Sequence, residues 1–216
     1  MVVWDFDEEC NRQLDRVIEA RRTIRAFTEE VPPRGKVEEI LKAGLLAPFA
    51  AVAVEGCEDF RRFFVMERGS AARAEAVKIV RARVIAGFEA MKANLPEGVA
   101  LPAFAGRLQA VADGGEIGFE SAPYYVVIAE KRGIPPAEQE SLAHVLENMW
   151  LKATALGIGM RLISATARLA EDAEFCGLLG LAPGTFGLDG CALGYPVEVP
   201  PPTRRPEFAT VVTWLD

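Results

Sequence analysis

Three arginines and a threonine lie within five consecutive residues near the N-terminus. The segment is Arg21-Arg22-Thr23-Ile24-Arg25, and it follows an acidic amphipathic stretch. Guanidinium groups donate charge-assisted hydrogen bonds to phosphate oxygens, and a hydroxyl such as that of Thr23 adds another donor. Arginines are also favoured at the C-terminal end of a helix, where cations interact well with the helix dipole. The segment therefore fits either a phosphate site or the end of a helix.

A second basic pair, Arg204-Arg205, lies near the other end of the chain. The protein as a whole is acidic, with a formal net charge of -7 over 216 residues. Two anion-seeking clusters at opposite ends of an acidic sequence favour one phosphate site that both ends of the fold close. The overall charge argues against a nucleic-acid partner, because binding a polyanion needs a broad basic surface.

Residues for metal binding and acid–base catalysis are scarce. The four cysteines have no C-x-x-C spacing, and His144 is the single histidine of the sequence. A Cys/His zinc site is therefore not expected, and we predict no bound metal. His144 lies among apolar residues of a predicted helix, which favours a packing or interface role over general-base catalysis. We predict no catalytic side chain.

The sequence gives no sign of export or of membrane insertion. Its N-terminus is acidic within five residues and lacks the charge order of a signal peptide. The longest apolar run, residues 43–54, contains Pro48 and is too short to span a bilayer. These features predict a cytoplasmic protein with reduced thiols and no membrane partner.

Apolar periodicity predicts the elements that position these residues. The predicted helices are 7–20, 32–47, 70–93, 138–156 and 171–179, and the predicted strands are 61–66, 124–129, 160–164, 191–193 and 210–215. Strand 124–129 is apolar throughout, which implies burial on both faces. The order predicts one mixed α+β domain over 1–216. The Pro- and Gly-rich stretch 94–116 fits either a lid over a site or a plain surface loop.

Short sequence motifs along these elements resemble those of the FMN-dependent nitroreductase family. They are Arg21–Phe27 followed by Val31-Pro32, then Ala47-Pro48-Phe49, Ser121-Ala122-Pro123, Glu147-Asn148-Met149, residues 155–159, 178–184 and 192–196, and finally Arg204-Arg205-Pro206. No single motif is specific, and the resemblance depends on the order and spacing of the motifs. It covers nearly the whole chain and is weakest between residues 50 and 118.

The resemblance implies a nitroreductase-like fold, in which a mixed central sheet is flanked by helices. It also implies a homodimer that holds two FMN molecules at its interface. The C-terminal segment 197–216 would then form an extended tail and a last strand that reach over the partner subunit.

The resemblance also implies which residues bind FMN. Arg21, Arg22 and Thr23 would contact the phosphate and ribityl oxygens, and Arg204 and Arg205 would close over the phosphate. Arg25 would reach the flavin ring, where a cation stabilises negative charge on the reduced pyrimidine side. The turn Ile163-Ser164-Ala165 would present a backbone N–H to flavin N5. Pro48 and Phe49 would lie in the segment that lines the flavin edge.

The sequence departs from the family in that last segment. Where the family places Ser, Asn and a Gln-Pro-Trp word, this chain has the apolar run Phe49–Val54. The polar edge of the flavin would then find partners elsewhere or in water, because leaving them unsatisfied costs about 1–3 kcal/mol each. The alternative is that the chain keeps the fold but binds a ligand other than FMN in its usual form.

The reaction implied by the resemblance is hydride transfer from NADH or NADPH through FMN to an electron-poor acceptor, such as a nitroaromatic, a quinone or an enone. Two alternatives stay open. One is a non-redox ligand-binding or sensory protein that keeps the fold and the phosphate grip. The other is a specialised flavoenzyme, for example a flavin-destroying or dehalogenating one, with 94–116 as its lid.

Overall fold

The structure of the chain is a computed structural model, which describes residues 7–95 and 104–215. Part of the stretch expected to be either a lid or a surface loop, residues 96–103, lies outside the described residues. The rest of that stretch is not entirely irregular, because Ala105–Ala112 forms a helix.

Helices and strands of the described residues follow the predicted order closely until the C-terminal tail. The helices are α1 (Glu8–Ala20), α2 (Arg34–Leu45), α3 (Ala71–Ala93), α4 (Ala105–Ala112), α5 (Glu138–Ala155), α6 (Ala173–Leu178) and α7 (Phe208–Val211). The strands are β1 (Arg61–Glu67), β2 (Tyr124–Lys131), β3 (Gly159–Leu162) and β4 (Phe186–Gly194), and short 3-10 helices cover Ala51–Val54 and Ser164–Leu169. No helix in the described part of the chain combines the length and apolarity needed to cross a bilayer.

Three of the helices begin where a side chain can accept a hydrogen bond from the first turn. Asp7 accepts from the backbone N–H of Cys10 at 2.9 Å, Ser70 from that of Arg73 at 3.2 Å, and Asp172 from that of Phe175 at 2.9 Å. Such caps satisfy donors that the helix itself cannot. They place the starts of α1, α3 and α6 within two residues of the predicted positions.

The four strands form one sheet in the order β1-β2-β4-β3, and every neighbouring pair is antiparallel. The prediction of an α+β fold is therefore confirmed. Parallel pairing in the described residues is confined to an isolated bridge between Thr23 and Met160. Strand β4 is longer than the predicted 191–193, because it pairs with the whole length of β2.

The central strand β2 is buried on both faces, as predicted. Val126 and Ile128 pack into a cluster with α2 and α5, whereas Tyr125 and Val127 pack into a cluster with α3 and α6 on the other face. Alternate residues of a strand point to opposite faces, so a continuous apolar run is needed when helices cover both. The core is thus two apolar layers that share one sheet.

The predicted last strand, 210–215, is wrong. Phe208–Val211 is a short helix, and both the backbone N–H and the hydroxyl of Thr210 donate to the Glu207 carbonyl, at 2.9 and 2.7 Å. A strand needs a neighbour for its backbone groups, and the tail of a single chain has none among the described residues. Most apolar residues of this segment are instead exposed, with Trp214 at 86% and Leu215 at 92%.

A buried ion pair fixes the end of α2 to the edge of the sheet. Arg61 on β1 contacts Glu130 on β2 through Nε at 2.7 Å and Nη2 at 3.2 Å. The same guanidinium donates to the carbonyls of Gly44 at 3.1 Å and Ala47 at 2.9 Å. It therefore satisfies carbonyls that the end of α2 leaves free, and it sets the path of the chain into Pro48.

Replacing Arg61 with methionine should lower the free energy of unfolding by about 3–5 kcal/mol, because Glu130 would keep a buried, unpaired charge. Urea denaturation measures this loss. Arg62→Met is the matched control, since Arg62 pairs with the exposed Asp59 and should contribute less than about 1 kcal/mol. Equal losses in the two variants would contradict the role given to Arg61.

Candidate functional site

The arginine segment is tied by its backbone to two parts of the sheet. Ile24 donates to the Met160 carbonyl at 3.1 Å, beside β3. Thr28 donates to the Tyr195 carbonyl at 2.9 Å, and Val197 donates back to the Ala26 carbonyl at 3.1 Å. We call residues 21–28 the clamp segment. It runs beside the start of the C-terminal tail, which explains how two basic clusters far apart in sequence come together.

Side chains of the clamp segment alternate between the core and a cavity. Ile24 is buried and lies against Gly159, where an added Cβ would come within 2.8 Å of it. Its neighbours Thr23 and Arg25 face outward and line cavities. An extended backbone produces this alternation, so anchoring Ile24 in the core also orients the residues on either side of it.

Both basic clusters meet at one cavity of about 730 Å³, which we call the basic cavity. It is lined by Arg21, Arg22, Thr23 and Arg25 from the clamp segment and by Arg205 from the tail, together with Pro200–Pro202. Arg204 is exposed and is not among the lining residues. The geometry therefore separates two adjacent arginines that the sequence could not distinguish.

Arg21 is held in place by helix α5. Its Nε lies 3.3 Å from Glu147 Oε1, and its Cζ lies 4.8 Å from the centre of the Trp150 ring. Trp150 in turn donates from Nε1 to the Arg22 carbonyl at 3.0 Å. A guanidinium with a fixed position loses less entropy when it binds an anion, so these contacts prepare the cavity for a ligand.

Arg22 has two roles that the sequence left as alternatives. Its Nη1 donates to the carbonyls of Glu19 and Arg21, at the C-terminal end of α1. Its Nε, however, is buried and has no hydrogen-bond partner among the described residues. Arg22 thus caps the helix and keeps one donor unsatisfied beside the basic cavity, which suits an anionic ligand.

A second cavity of about 510 Å³, the central cavity, adjoins the basic cavity and shares Thr23 and Arg25 with it. The turn Ile163-Ser164-Ala165 lines it. The N–H of Ile163 already donates a hydrogen bond to the Gly190 carbonyl at 2.8 Å. The next two residues open a 3-10 helix, whose first N–H groups have no acceptor within the helix. Ser164 and Ala165 are therefore the better candidates for donating to a ligand.

Two further arginines of the central cavity were not predicted as site residues. They are Arg107 on α4 and Arg161 on β3. Burial lowers the pKa of Arg161, the nearby Glu116 partly opposes this, and Arg25 and Arg107 lower it further. The signal for Arg161 was present in the sequence, as the one charged residue inside the predicted strand 160–164. Arg107 lies in the irregular stretch, where no pattern singled it out.

Pro48 and Phe49 line neither of these cavities. The Pro48 carbonyl accepts a hydrogen bond from Arg61 at 3.3 Å, and the Phe49 ring stacks on Phe60 with centroids 3.9 Å apart. Within one chain the structure therefore does not bring this pair, or Arg204, together with the other residues predicted for the site.

A third cavity, of about 560 Å³, lies between α3, α4 and the 3-10 helix. We call it the apolar cavity, because apolar side chains such as Val80, Phe88, Met91 and Phe104 form most of its wall, although Arg83, Arg168 and Asp172 also line it. It shares Val84, Leu108, Ser164 and Ala165 with the central cavity. The three cavities thus follow one another, from a basic end, through a mixed centre, to an apolar end.

No group of His, Cys, Asp and Glu suited to a metal ion occurs in 7–95 or 104–215.

Comparison with known proteins gives a family and a set of similar folds. The model of the nitroreductase family matches residues 18–195 of the chain. None of the curated proteins searched gives a significant match.

Three solved structures illustrate the similarity of fold. A nitroreductase with bound FMN from Bacteroides fragilis has 22% identity and a TM-score of 0.65, over 94% of this chain and 99% of that one. An oxidized iodotyrosine deiodinase bound to FMN and 3-iodo-L-tyrosine has 18% identity and a TM-score of 0.67, over the same shares. A nitroreductase with bound FMN from Desulfitobacterium hafniense has 21% identity and a TM-score of 0.64, over 94% and 98%.

Proposed function

The chain belongs to the nitroreductase family, and from this premise we propose that it is an FMN-dependent oxidoreductase. Bound FMN would accept a hydride from NADH or NADPH and pass it to an electron-poor acceptor such as a nitroaromatic, a quinone or an enone. The observation that supports this most strongly is that both basic clusters meet at one cavity, which continues into a second cavity lined by Ser164 and Ala165, the first residues of a 3-10 helix.

The basic cavity fits the phosphate of FMN. Arg21, Arg22 and Arg205 supply guanidinium donors, and Thr23 supplies a hydroxyl. The buried Nε of Arg22 lacks a partner in the described residues, which is the kind of group that a phosphate oxygen would satisfy. The donor set and the orphaned donor both suit a phosphate monoester.

The central cavity fits the flavin ring. Arg25 lies where the two cavities meet, so its charge would stabilise negative charge on the pyrimidine side of the reduced ring. A backbone N–H of Ser164 or Ala165 would face N5 and orient it for hydride transfer. No side chain needs to act as acid or base in this scheme. The residues of the chain bind, orient and supply charge.

We also propose that the protein is a homodimer whose second subunit completes the flavin site. Helix α1 has no buried residue, and its apolar face is exposed at Leu14 and Ile18. The tail exposes Phe208, Trp214 and Leu215. Exposed apolar surface of this extent favours a protein partner. Pro48 and Phe49, which lie away from the cavities of their own chain, would then line the cavity of the other subunit.

A non-redox ligand-binding protein is the second candidate, and it would keep the phosphate grip. The apolar run Phe49–Val54 favours it, because that run replaces the polar groups expected at the flavin edge. A specialised flavoenzyme is the third, since one similar structure is a deiodinase that holds FMN.

We further propose that the chain acts as one domain in the cytoplasm, because its free cysteines suit a reducing compartment.

The absorption spectrum of the purified protein, before and after addition of FMN, tests the proposed function. We expect flavin bands that stay with the protein through gel filtration and that NADH or NADPH bleaches under anaerobic conditions. A protein that takes up no FMN would favour the ligand-binding alternative. A protein that holds FMN but is not reduced by either nucleotide would contradict the electron donor proposed here.

Replacing Arg205 with alanine should weaken FMN binding by about 1.5–3 kcal/mol, the range for hydrogen bonds to charged groups. Arg21→Ala should act similarly, since both arginines line the basic cavity. Arg204→Ala is the matched control, because Arg204 does not line that cavity. Flavin fluorescence titration measures the dissociation constants. Equal effects of the Arg204 and Arg205 variants would show that the tail does not close the site as proposed.

Replacing Trp214 with glutamate should weaken the dimer by about 2 kcal/mol or more, because buried tryptophans dominate interfaces. Ile134→Glu is the control, since Ile134 is as exposed as Trp214, at 89% against 86%, but lies outside the tail. Light scattering over a dilution series measures the dissociation. Dissociation of both variants alike would remove the tail from the proposed interface.

A further inference from the structure

Three arginines from three separate elements converge on the central cavity. Arg25 comes from the clamp segment, Arg107 from α4 and Arg161 from β3. Within the described residues none of the three has a carboxylate within 4.0 Å, whereas Arg81 and Arg132, elsewhere on the surface, each have one at 2.6 Å. The arginines of the cavity are therefore left without the partners that those surface arginines have.

One carboxylate does line the central cavity, that of Glu116. Its Oε1 accepts from both the backbone N–H and the hydroxyl of Ser121, each at 2.9 Å. These bonds hold Oε1 on its own loop, and in the described residues neither oxygen of Glu116 forms an ion pair within 4.0 Å, although its charge is near enough to raise the pKa of Arg161. The balance of charge facing the cavity is positive, although the chain as a whole carries -7.

Arg161 is held at the cavity by close packing. It is half-buried, and its guanidinium lies against Gly118, where an added Cβ would come within 2.5 Å of Cζ. Gly118 also has a φ of +97°, which side-chain-bearing residues rarely adopt. Keeping a partly buried cation without a partner is costly, and this cost is recovered when an anion binds.

Arg25 is already assigned to the flavin, which leaves Arg107 and Arg161 for a second ligand. The neighbouring apolar cavity is continuous with this pair, because it shares Leu108 and Val84 with the central cavity. A molecule that uses both cavities needs an anionic group at one end and an apolar body at the other.

We propose that the electron acceptor is an apolar carboxylate, with its carboxylate on Arg107 and Arg161 and its body in the apolar cavity. This rests on the proposed function, because it names the substrate class of the same flavin site. Planar guanidinium groups match carboxylates in geometry as well as in charge, and the apolar side chains of the neighbouring cavity would pack against the rest of the molecule.

The test compares 4-nitrobenzoate with 4-nitrobenzyl alcohol, which has the same ring and no charge. Their binding to the FMN-loaded protein is read from the flavin difference spectrum and from tryptophan fluorescence, since Trp150 lines the central cavity. We expect the carboxylate to bind about tenfold more tightly or better, as hydrogen bonds to charged groups imply. Arg107→Gln and Arg161→Gln should each remove most of this preference.

Arg34→Gln is the matched control. Arg34 is exposed and lines none of the three cavities, so its variant should keep the preference for the carboxylate. Equal binding of the acid and the alcohol to the FMN-loaded protein would overturn the proposal, and so would equal effects of all three variants. Weaker FMN binding in Arg161→Gln with an unchanged preference would also overturn it, because Arg161 would then serve the flavin.

The same titration separates this inference from the proposed function. If the protein takes up no FMN but tryptophan fluorescence still shows the preference for 4-nitrobenzoate, the anion site stands and the redox function fails. If the flavin is bound and reduced but no preference appears, the anion site fails and the redox function stands. Trp150→Phe identifies the reporting residue, because the fluorescence response should fall in that variant.

Discussion

The candidate site depends on the backbone hydrogen bonds that hold the clamp segment against the sheet. Ile24 bonds to Met160, Thr28 to Tyr195, and Val197 to Ala26. Without them, the arginines after α1 and those of the tail would have no reason to share a cavity. Two glycines make this approach possible. An added Cβ would come within 2.8 Å of the Ile24 side chain at Gly159 and within 2.9 Å of the Phe27 side chain at Gly194. The phosphate end of the site is therefore a consequence of close backbone packing at one edge of the sheet.

The rest of the fold supplies rigid supports for this edge. Strand β2 lies between two apolar layers, and α5 packs on one of them while presenting Glu147 and Trp150 to Arg21. Strand β3 carries Arg161 on the opposite face from the buried Met160, and the turn after it presents the backbone donors of Ser164 and Ala165. Groups held by regular elements keep their positions before a ligand arrives, so less free energy is lost in ordering them on binding.

Local patterns predicted much of this from the sequence, and long-range pairing accounts for most of what they missed. Capping residues such as Ser70 and the apolar run of β2 are local signals, so α3 and β2 were predicted within two residues. The strand expected at 210–215 is wrong because a strand also requires a neighbour, which no local pattern supplies. Similarly, the sequence alone cannot distinguish the roles of the adjacent Arg204 and Arg205. Only the path of the tail decides that Arg205 lines the basic cavity.

The arginines of this protein fall into two groups, those with a structural role and those at the candidate site, and the two groups differ in their partners. Arginines that join elements have acidic partners or carbonyls, as Arg61 has Glu130 and Arg81 has Glu120. Arginines that line the cavities lack carboxylate partners more often, and the Nε of Arg22 is buried without any partner in the described residues. Unpaired cations lower stability, so a fold that keeps them together gains from an anion that binds there. In a chain with a net charge of -7, that attraction is confined to the cavities, because salt and the surrounding carboxylates screen it elsewhere.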